Sequence, residues 1–174
     1  MTGFTAEQRE RIPAVLDHAE ELVGDRFHVP SFDHPRYVYD VRVLDELEAH
    51  EVPLEPGLAQ LIRYGRAVDG RTAAPRGRLS GFHRICLHDE RILECEARDG
   101  LGLPSLLLVV LAHELIHLVR FTIPETTFHA PVSIRHEEER EVDRLTRELL
   151  RTYPDEAVRR AMGTITGPSD RGPS

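Results

Sequence analysis

Apolar residues at helical spacing dominate the first part of the chain. They recur every three or four residues from Ile12 to Val23, behind a stretch at Thr5–Gln8 that is typical of a capping box. This pattern predicts a helix from about Thr5 to Val23. Pro13 lies inside it and marks either a kink or a later helix start.

The middle of the chain gives shorter patterns. Asp40 is placed to cap a short helix that carries three apolar residues, and Pro56 is placed to begin another helix that runs to about Val68. From Phe82 to Ala97, two short apolar runs stand on either side of the polar tetrapeptide HDER. This arrangement favours a hairpin or a pair of strands.

Two long helices are predicted in the last third of the chain. Leu103–Phe121 is almost wholly apolar, which predicts burial on most sides, whereas Ser133–Thr152 is charged with one apolar stripe. A short helix follows. Together the elements predict an α+β fold, mostly helical, with a small sheet or hairpin before Leu103–Phe121. We expect a single domain over residues 1–163 and a flexible tail over residues 164–174.

Composition narrows the classes of function. The chain has 174 residues, of which 40% are hydrophobic and 30% charged, and its net charge is −8. These values are those of an ordinary soluble protein, and they favour neither a nucleic-acid nor a membrane partner. Cys86 and Cys95 are interpreted as reduced core thiols. The N-terminus lacks the apolar stretch of a signal peptide, so a cytoplasmic location is expected, and the oligomeric state is not predicted.

The residues that are candidates for catalysis or metal binding lie in the apolar helix. His113, Glu114 and His117 form an H-E-x-x-H motif. Residues four apart share one helical face, so both imidazoles can reach one metal ion, with Glu114 placed as a general base for water. Three unpartnered polar side chains in an apolar helix would be costly. The alternative is a pair of hydrogen-bonded core histidines beside a surface glutamate.

A catalytic zinc site requires a third protein ligand. The position six residues after His117 is Ile123, so the three-histidine arrangement of metzincins is excluded. The next helix offers Glu138 and Glu139, both on its inner side. Glu139 is favoured because Asp143 follows it by one turn and can accept a hydrogen bond from a ligating histidine. Alternatively, the acidic run is simply a solvated helix N-terminus.

The segments HELIHLVRF and EREVDRLTRELL together resemble the gluzincin arrangement, HExxH followed by ExxxD, and are most similar to the small ImmA/IrrE-like metallopeptidases. The resemblance covers about Leu103 to Arg151. It implies a zincin-like fold, one zinc ion per chain, and a peptide or protein substrate. The ligands would be His113, His117 and Glu139, with Glu114 as the base and Asp143 supporting a ligand. An edge strand would hold the peptide, and Cys86–Cys95 is where we expect it.

The sequence therefore predicts a zinc metallopeptidase. A donor for the oxyanion is also needed, and His129 and His136 are candidates because both lie between the ligand helices. Three alternatives remain. The chain could be a non-catalytic zinc-binding regulatory module, or a metal-dependent hydrolase of non-peptide amides. The third is a non-haem iron oxygenase, although such enzymes place their ligands on a β-barrel.

Overall fold

The computed structural model describes residues 3–64, 82–122 and 132–166. Within these ranges there are six α-helices and one small sheet. The helices are α1 (Ala6–Glu10), α2 (Ile12–Phe27), α3 (Asp89–Asp99), α4 (Leu103–Phe121), α5 (Val132–Leu150) and α6 (Glu156–Ile165). The strands are β1 (Tyr39–Val43), β2 (Ala59–Tyr64) and β3 (Phe82–Leu87). The predicted α+β class, mostly helical with a small sheet before α4, is confirmed at this coarse level.

The sheet has the order β1-β3-β2. β1 runs parallel to β3, and β2 runs antiparallel to it, so β3 is the central strand. Ile85 and Leu87 of β3 are fully buried, which is expected of a strand covered by helices. β1 and β2 are the two edge strands of the described sheet.

Helix α4 forms the centre of the fold. Gly102, at φ 76°, precedes it, and Pro104 occupies its first turn. Fifteen of its nineteen residues are buried, because α2, α3, α5, α6 and β2 all pack around it. By length and composition α4 could also cross a membrane, but a buried core helix passes the same test. Its position at the centre of the described fold explains its hydropathy.

The first predicted helix is divided into two. Thr5 and Gln8 form the expected capping box at the start of α1, which ends at Glu10. A second helix then begins at Ile12 with Pro13 in its first turn, where a missing amide hydrogen costs least. The later start, rather than a kink, is therefore the effect of Pro13.

Two segments predicted as short helices are strands. In β1, Tyr39, Val41 and Val43 alternate with polar residues and pack against the core. In β2, Ala59 and Leu61 pack against the core on either side of Gln60, although Ile62 interrupts the alternation. Over these strands the helix predictions are wrong, because short apolar runs fit a period of two as well as a helical period and β3 supplies the pairing partner that selects the strand. A short 3-10 helix at Leu44–Glu46 follows β1, and residues 65–68 of the second predicted helix lie outside the described ranges.

The segment predicted as a hairpin contains one strand and one helix. The first apolar run is β3, as predicted, but the second lies in α3. His88 accepts a hydrogen bond from the Arg91 amide at the start of α3, and Gly100 at φ 60° ends it. These capping signals outweigh the short apolar run, so the prediction of a second strand here is wrong.

The C-terminal helices follow the predicted pattern. On α5, Val142 and Leu145 are buried, and Asp155 caps α6 through the Ala157 amide. α6 extends to Ile165, past the start of the predicted tail, and residues 167–174 lie outside the described ranges. Both cysteines are buried and free, as predicted.

Candidate metal centre

The first two donor groups lie one turn apart on α4. The rings of His113 and His117 have centroids 4.9 Å apart, and their side chains are 11% and 7% exposed. The Nε2 atoms of both rings face α5. The four-residue spacing thus places two imidazoles on one face of a helix whose other faces are buried among apolar side chains.

Glu139 of α5 lies between the two rings. Its Oε2 is 3.5 Å from Nε2 of His113, and its Oε1 is 3.2 Å from Nε2 of His117. One ligand atom from each of the three residues falls within 4.8 Å of the others, so this group could hold a metal ion. Ligands at about 2.1 Å from a tetrahedral zinc ion are separated by about 3.4 Å. The distances from Glu139 to the two imidazoles fit such a site.

Glu138 pairs with an arginine of α4 rather than with the two histidines. Its carboxylate accepts hydrogen bonds from Arg120, with Nε 2.6 Å from Oε1 and Nη2 2.8 Å from Oε2. The side chain of Glu138 is only 13% exposed, so this pair is mostly shielded from water. Of the two glutamates that helical phase allowed, Glu139 is the one that approaches both histidines.

Two groups on α5 face Nδ1 of His113. Thr146 Oγ1 lies 3.4 Å from this nitrogen and Asp143 Oδ1 lies 3.7 Å from it. The sequence analysis predicted that Asp143 accepts a hydrogen bond from a ligating histidine. It did not identify Thr146. Thr146 follows Asp143 by three residues and shares its helical face, which is the signal that could have identified it.

The imidazole ring of His117 stacks on the ring of Phe121. Its ring lies nearly parallel to that of Phe121, at 16°, with centroids 5.6 Å apart. Its Nδ1 is buried and has no hydrogen-bond partner among the described residues. The orientation of this imidazole is therefore set by its aromatic neighbour and by Glu139.

The carboxyl groups of the site differ in the direction in which the protein shifts their pKa values. Burial acts to raise the pKa of Glu139, but hydrogen bonds and charges from the two histidines outweigh it and hold that pKa far below its ordinary value. Burial raises the pKa of Glu114 to about 7; the charge of His113 opposes this shift and that of Glu139 adds to it. Burial also raises the pKa of Asp143. The same cleft is thus lined by a carboxylate whose pKa is lowered, that of Glu139, and by a carboxyl whose pKa is raised, that of Glu114.

A cleft of about 880 Å³ gives access to these groups. His113, Glu114, His117 and Glu139 all line it. Opposite them run the segment before β2 and the first residues of that strand, and further walls come from α3 and α6. The three donors and Glu114 therefore share one cavity that is large enough for a ligand.

The two histidines proposed as oxyanion donors are not brought to this group by the described structure. His136 is exposed on α5 and is not among the residues that line the cleft. His129 lies outside the described residues. The expectation that one of them contacts substrate stays a prediction for His129 and lacks support for His136.

Comparisons with protein-family models, with curated proteins and with solved structures each returned no match. The candidate site is defined by the residues and distances of this chain.

Proposed function

We propose that this chain is a zinc-dependent metallopeptidase. One observation supports this most strongly: the Glu114 carboxyl lines the same cleft as three converging metal-donor groups. A purely structural metal site has no use for such a base. Catalytic zinc sites combine three protein ligands with a position open to water, and the described residues supply three donors beside a cavity.

The donor set favours zinc. Two imidazole nitrogens and one carboxylate oxygen suit a borderline divalent ion, and the H-E-x-x-H zinc motif places its two histidines on one helix. Here His113 and His117 come from α4 and Glu139 from α5. This helical origin disfavours the iron-oxygenase alternative, whose ligands are placed on a β-barrel. A zinc ion held by these three residues would supply Lewis acidity to a substrate carbonyl and would lower the pKa of a bound water.

Glu114 supplies the proton transfers in this proposal. Burial raises the pKa of this carboxyl above that of a free glutamate, and a general base in this position has to accept a proton and release it within one cycle. It takes a proton from the attacking water and delivers it to the leaving amine, so that the protein returns to its starting state. Its side chain is almost fully buried apart from the part that lines the cleft.

Strand β2 is suited to hold an extended peptide. It is an edge strand of the described sheet, and Ala59, Gln60 and Leu61 border the cleft opposite α4. A peptide added to this edge gains main-chain hydrogen bonds while it lies alongside Glu114. This location replaces the expected one at Cys86–Cys95, since that stretch contains the central strand and α3.

The resemblance to gluzincins and to ImmA/IrrE-like metallopeptidases, with its zincin-like fold, belongs to the same proposal. It is supported by the placement of Glu139 and Asp143 on the helix after the H-E-x-x-H helix. A peptide or protein substrate and a cytoplasmic location remain predictions that accompany it.

The proposal is tested by hydrolysis of a fluorogenic casein and of a mixed peptide library by the zinc-loaded protein. We expect cleavage by the wild type, and a loss of at least about a hundredfold in the Glu114→Gln variant with zinc still bound. Glu137→Gln, a change at an exposed position on α5, is the matched control and should cleave normally. Zinc binding without cleavage of any peptide would contradict the proposal and favour the regulatory module.

A further inference from the structure

Strand β1 borders only β3 in the described sheet, so one of its main-chain edges is unpaired there. Tyr39 is the partner of His83, and the amide of His83 donates at 2.9 Å to the carbonyl of the residue before Tyr39. Because neighbouring residues of a strand direct their main-chain groups to opposite sides, Tyr39, Val41 and Val43 direct theirs away from β3. The Val43 amide donates to the Glu46 carboxylate at 3.1 Å. The edge at Tyr39 and Val41 is therefore the part that can pair with a further strand.

This edge of β1 borders a groove of about 620 Å³ that shares no lining residue with the metal-donor cleft. One face of α2 forms its other wall. Its lining includes Phe32, whose ring is buried and lies 5.3 Å from the ring of Tyr37 and 6.5 Å from that of Tyr39. Val38, which also lines the groove, is 48% exposed. An extended segment in this groove would gain main-chain hydrogen bonds and apolar contacts together.

Three carboxyl groups that line the groove form no ion pair with any described residue. They belong to Asp17, Glu20 and Asp33. Glu20 accepts a hydrogen bond from the Tyr39 hydroxyl. Burial raises the pKa of Glu20; the bond from Tyr39 opposes this shift, and the negative charges of the other two carboxyl groups add to it. The three groups are thus close enough to repel one another.

The other carboxylates and the arginine that line the groove are already paired. Arg9, the one arginine among the described lining residues, pairs with Asp45 at 2.6 Å. Asp40 and Glu46 both accept hydrogen bonds from Arg42, at 3.0 and 3.2 Å. The three remaining carboxyl groups therefore give the groove a negative charge that a cationic ligand would neutralise.

We infer that this groove docks an extended segment of a partner protein, rich in arginine or lysine, that pairs with the edge of β1. Its cationic side chains would lie beside Asp17, Glu20 and Asp33. The inference goes beyond the proposed function and does not depend on a bound metal ion. A second copy of this chain fits less well, because pairing of two β1 edges would bring two sets of these carboxyl groups together.

The first experiment measures binding of a fluorescent eight-residue peptide of alternating arginine and valine to the full-length protein by anisotropy. We expect saturable binding that weakens as salt is added, and no binding of the peptide with glutamate in place of arginine. A double variant with Asp17→Asn and Asp33→Asn should bind about tenfold more weakly, since each exposed ion pair accounts for a few fold.

The matched control is a double variant with Glu21→Gln and Asp25→Asn. It removes the same charge from exposed positions of α2 that do not line the groove, and it should bind as the wild type does. Equal weakening in the two double variants would overturn the inference, because it would show attraction to overall charge alone. Absence of binding to the wild type would overturn it as well.

The second experiment tests the strand pairing by amide hydrogen exchange with and without the arginine peptide. Exchange at Tyr39 and Val41 should slow when the peptide is bound, because their amides then donate to its carbonyls. Protection confined to other residues would overturn the inference. So would self-association of the wild type in sedimentation that protects these two amides without peptide, since the edge would then belong to a second copy.

Discussion

Arg120 and Glu138 join the two helices that carry the metal-donor residues. The guanidinium of Arg120, near the end of α4, contacts both carboxylate oxygens of Glu138 on α5, at 2.6 and 2.8 Å. Both side chains are largely buried, at 25% and 13% exposed. Glu138 is the residue directly before Glu139. The ion pair thus fixes the position of Glu139 relative to His113 and His117.

Removal of this ion pair should weaken both the fold and the metal site. For Glu138→Gln we expect the free energy of unfolding to fall by about 2 kcal/mol, the usual scale for a shielded hydrogen bond to a charged group. Zinc affinity should fall as well, although no donor is lost. Urea unfolding and chelator competition measure the two effects. Glu137→Gln serves as the control, since Glu137 is exposed on the same turn of α5. Equal stability of the two variants would contradict the role given to Arg120.

Stability at acid pH should depend on Glu51. This carboxylate is 2% exposed, accepts a hydrogen bond from Tyr64, and pairs with Arg84 at 2.9 Å. The hydrogen bond from Tyr64, the backbone amide of Glu48 and the charge of Arg84 lower the pKa of Glu51 to about 2, although burial opposes them. A lowered folded-state pKa stabilises the protein above the ordinary pKa, and this stabilisation is lost as the pH falls towards 2.

The variant Glu51→Gln tests this pH dependence. The wild type should exceed it in unfolding free energy by a constant amount above about pH 5, and the difference should close between about pH 4.5 and pH 2. Denaturant unfolding at a series of pH values measures the gap. Glu48→Gln, at an exposed position nearby, should show no such closing. A gap that stays constant down to pH 2 would count against the ionised Glu51.

Asp89 should be needed to fix the N-terminal segment. This carboxylate is 1% exposed and accepts hydrogen bonds from the Phe4 amide at 2.7 Å and the Leu44 amide at 3.4 Å. Asp89→Ala leaves two amides without their acceptor, and we expect a loss of about 2–3 kcal/mol in unfolding free energy. Thermal and urea unfolding measure it. In Glu94→Gln, at an exposed site on the same helix, stability should be unchanged; a similarly small effect at Asp89 would refute this role.

The metal-donor group could be predicted to the extent that it depends on helical spacing. His113 and His117 share a face because they are four residues apart on one helix. Glu139 could be separated from Glu138 because Asp143 follows it, and the structure places Glu139 between the two histidines. Local periodicity is sufficient for such relationships within one helix. It does not reveal that Arg120 engages Glu138, since this contact joins two helices.

The strands of the sheet and the contact between Thr146 and His113 could not be predicted in the same way. The apolar spacing in β1 and β2 also fits a helix, and their pairing with β3 depends on residues far along the chain. In α3, the capping residues His88 and Gly100 decided the outcome over the apolar run between them. Thr146 shares a helical face with Asp143, but the sequence alone does not show that its hydroxyl lies 3.4 Å from Nδ1 of His113.

Zinc content is the most direct test of the proposed metal site. Purified, tag-free wild type and His117→Ala are exchanged into metal-free buffer, supplied with zinc, and analysed for bound metal and for thermal stability. We expect one zinc ion per wild-type chain, a raised melting temperature on binding, and loss of both in His117→Ala. A wild type that binds no zinc and shows no thermal shift would contradict the proposed site, as would undiminished zinc in His117→Ala.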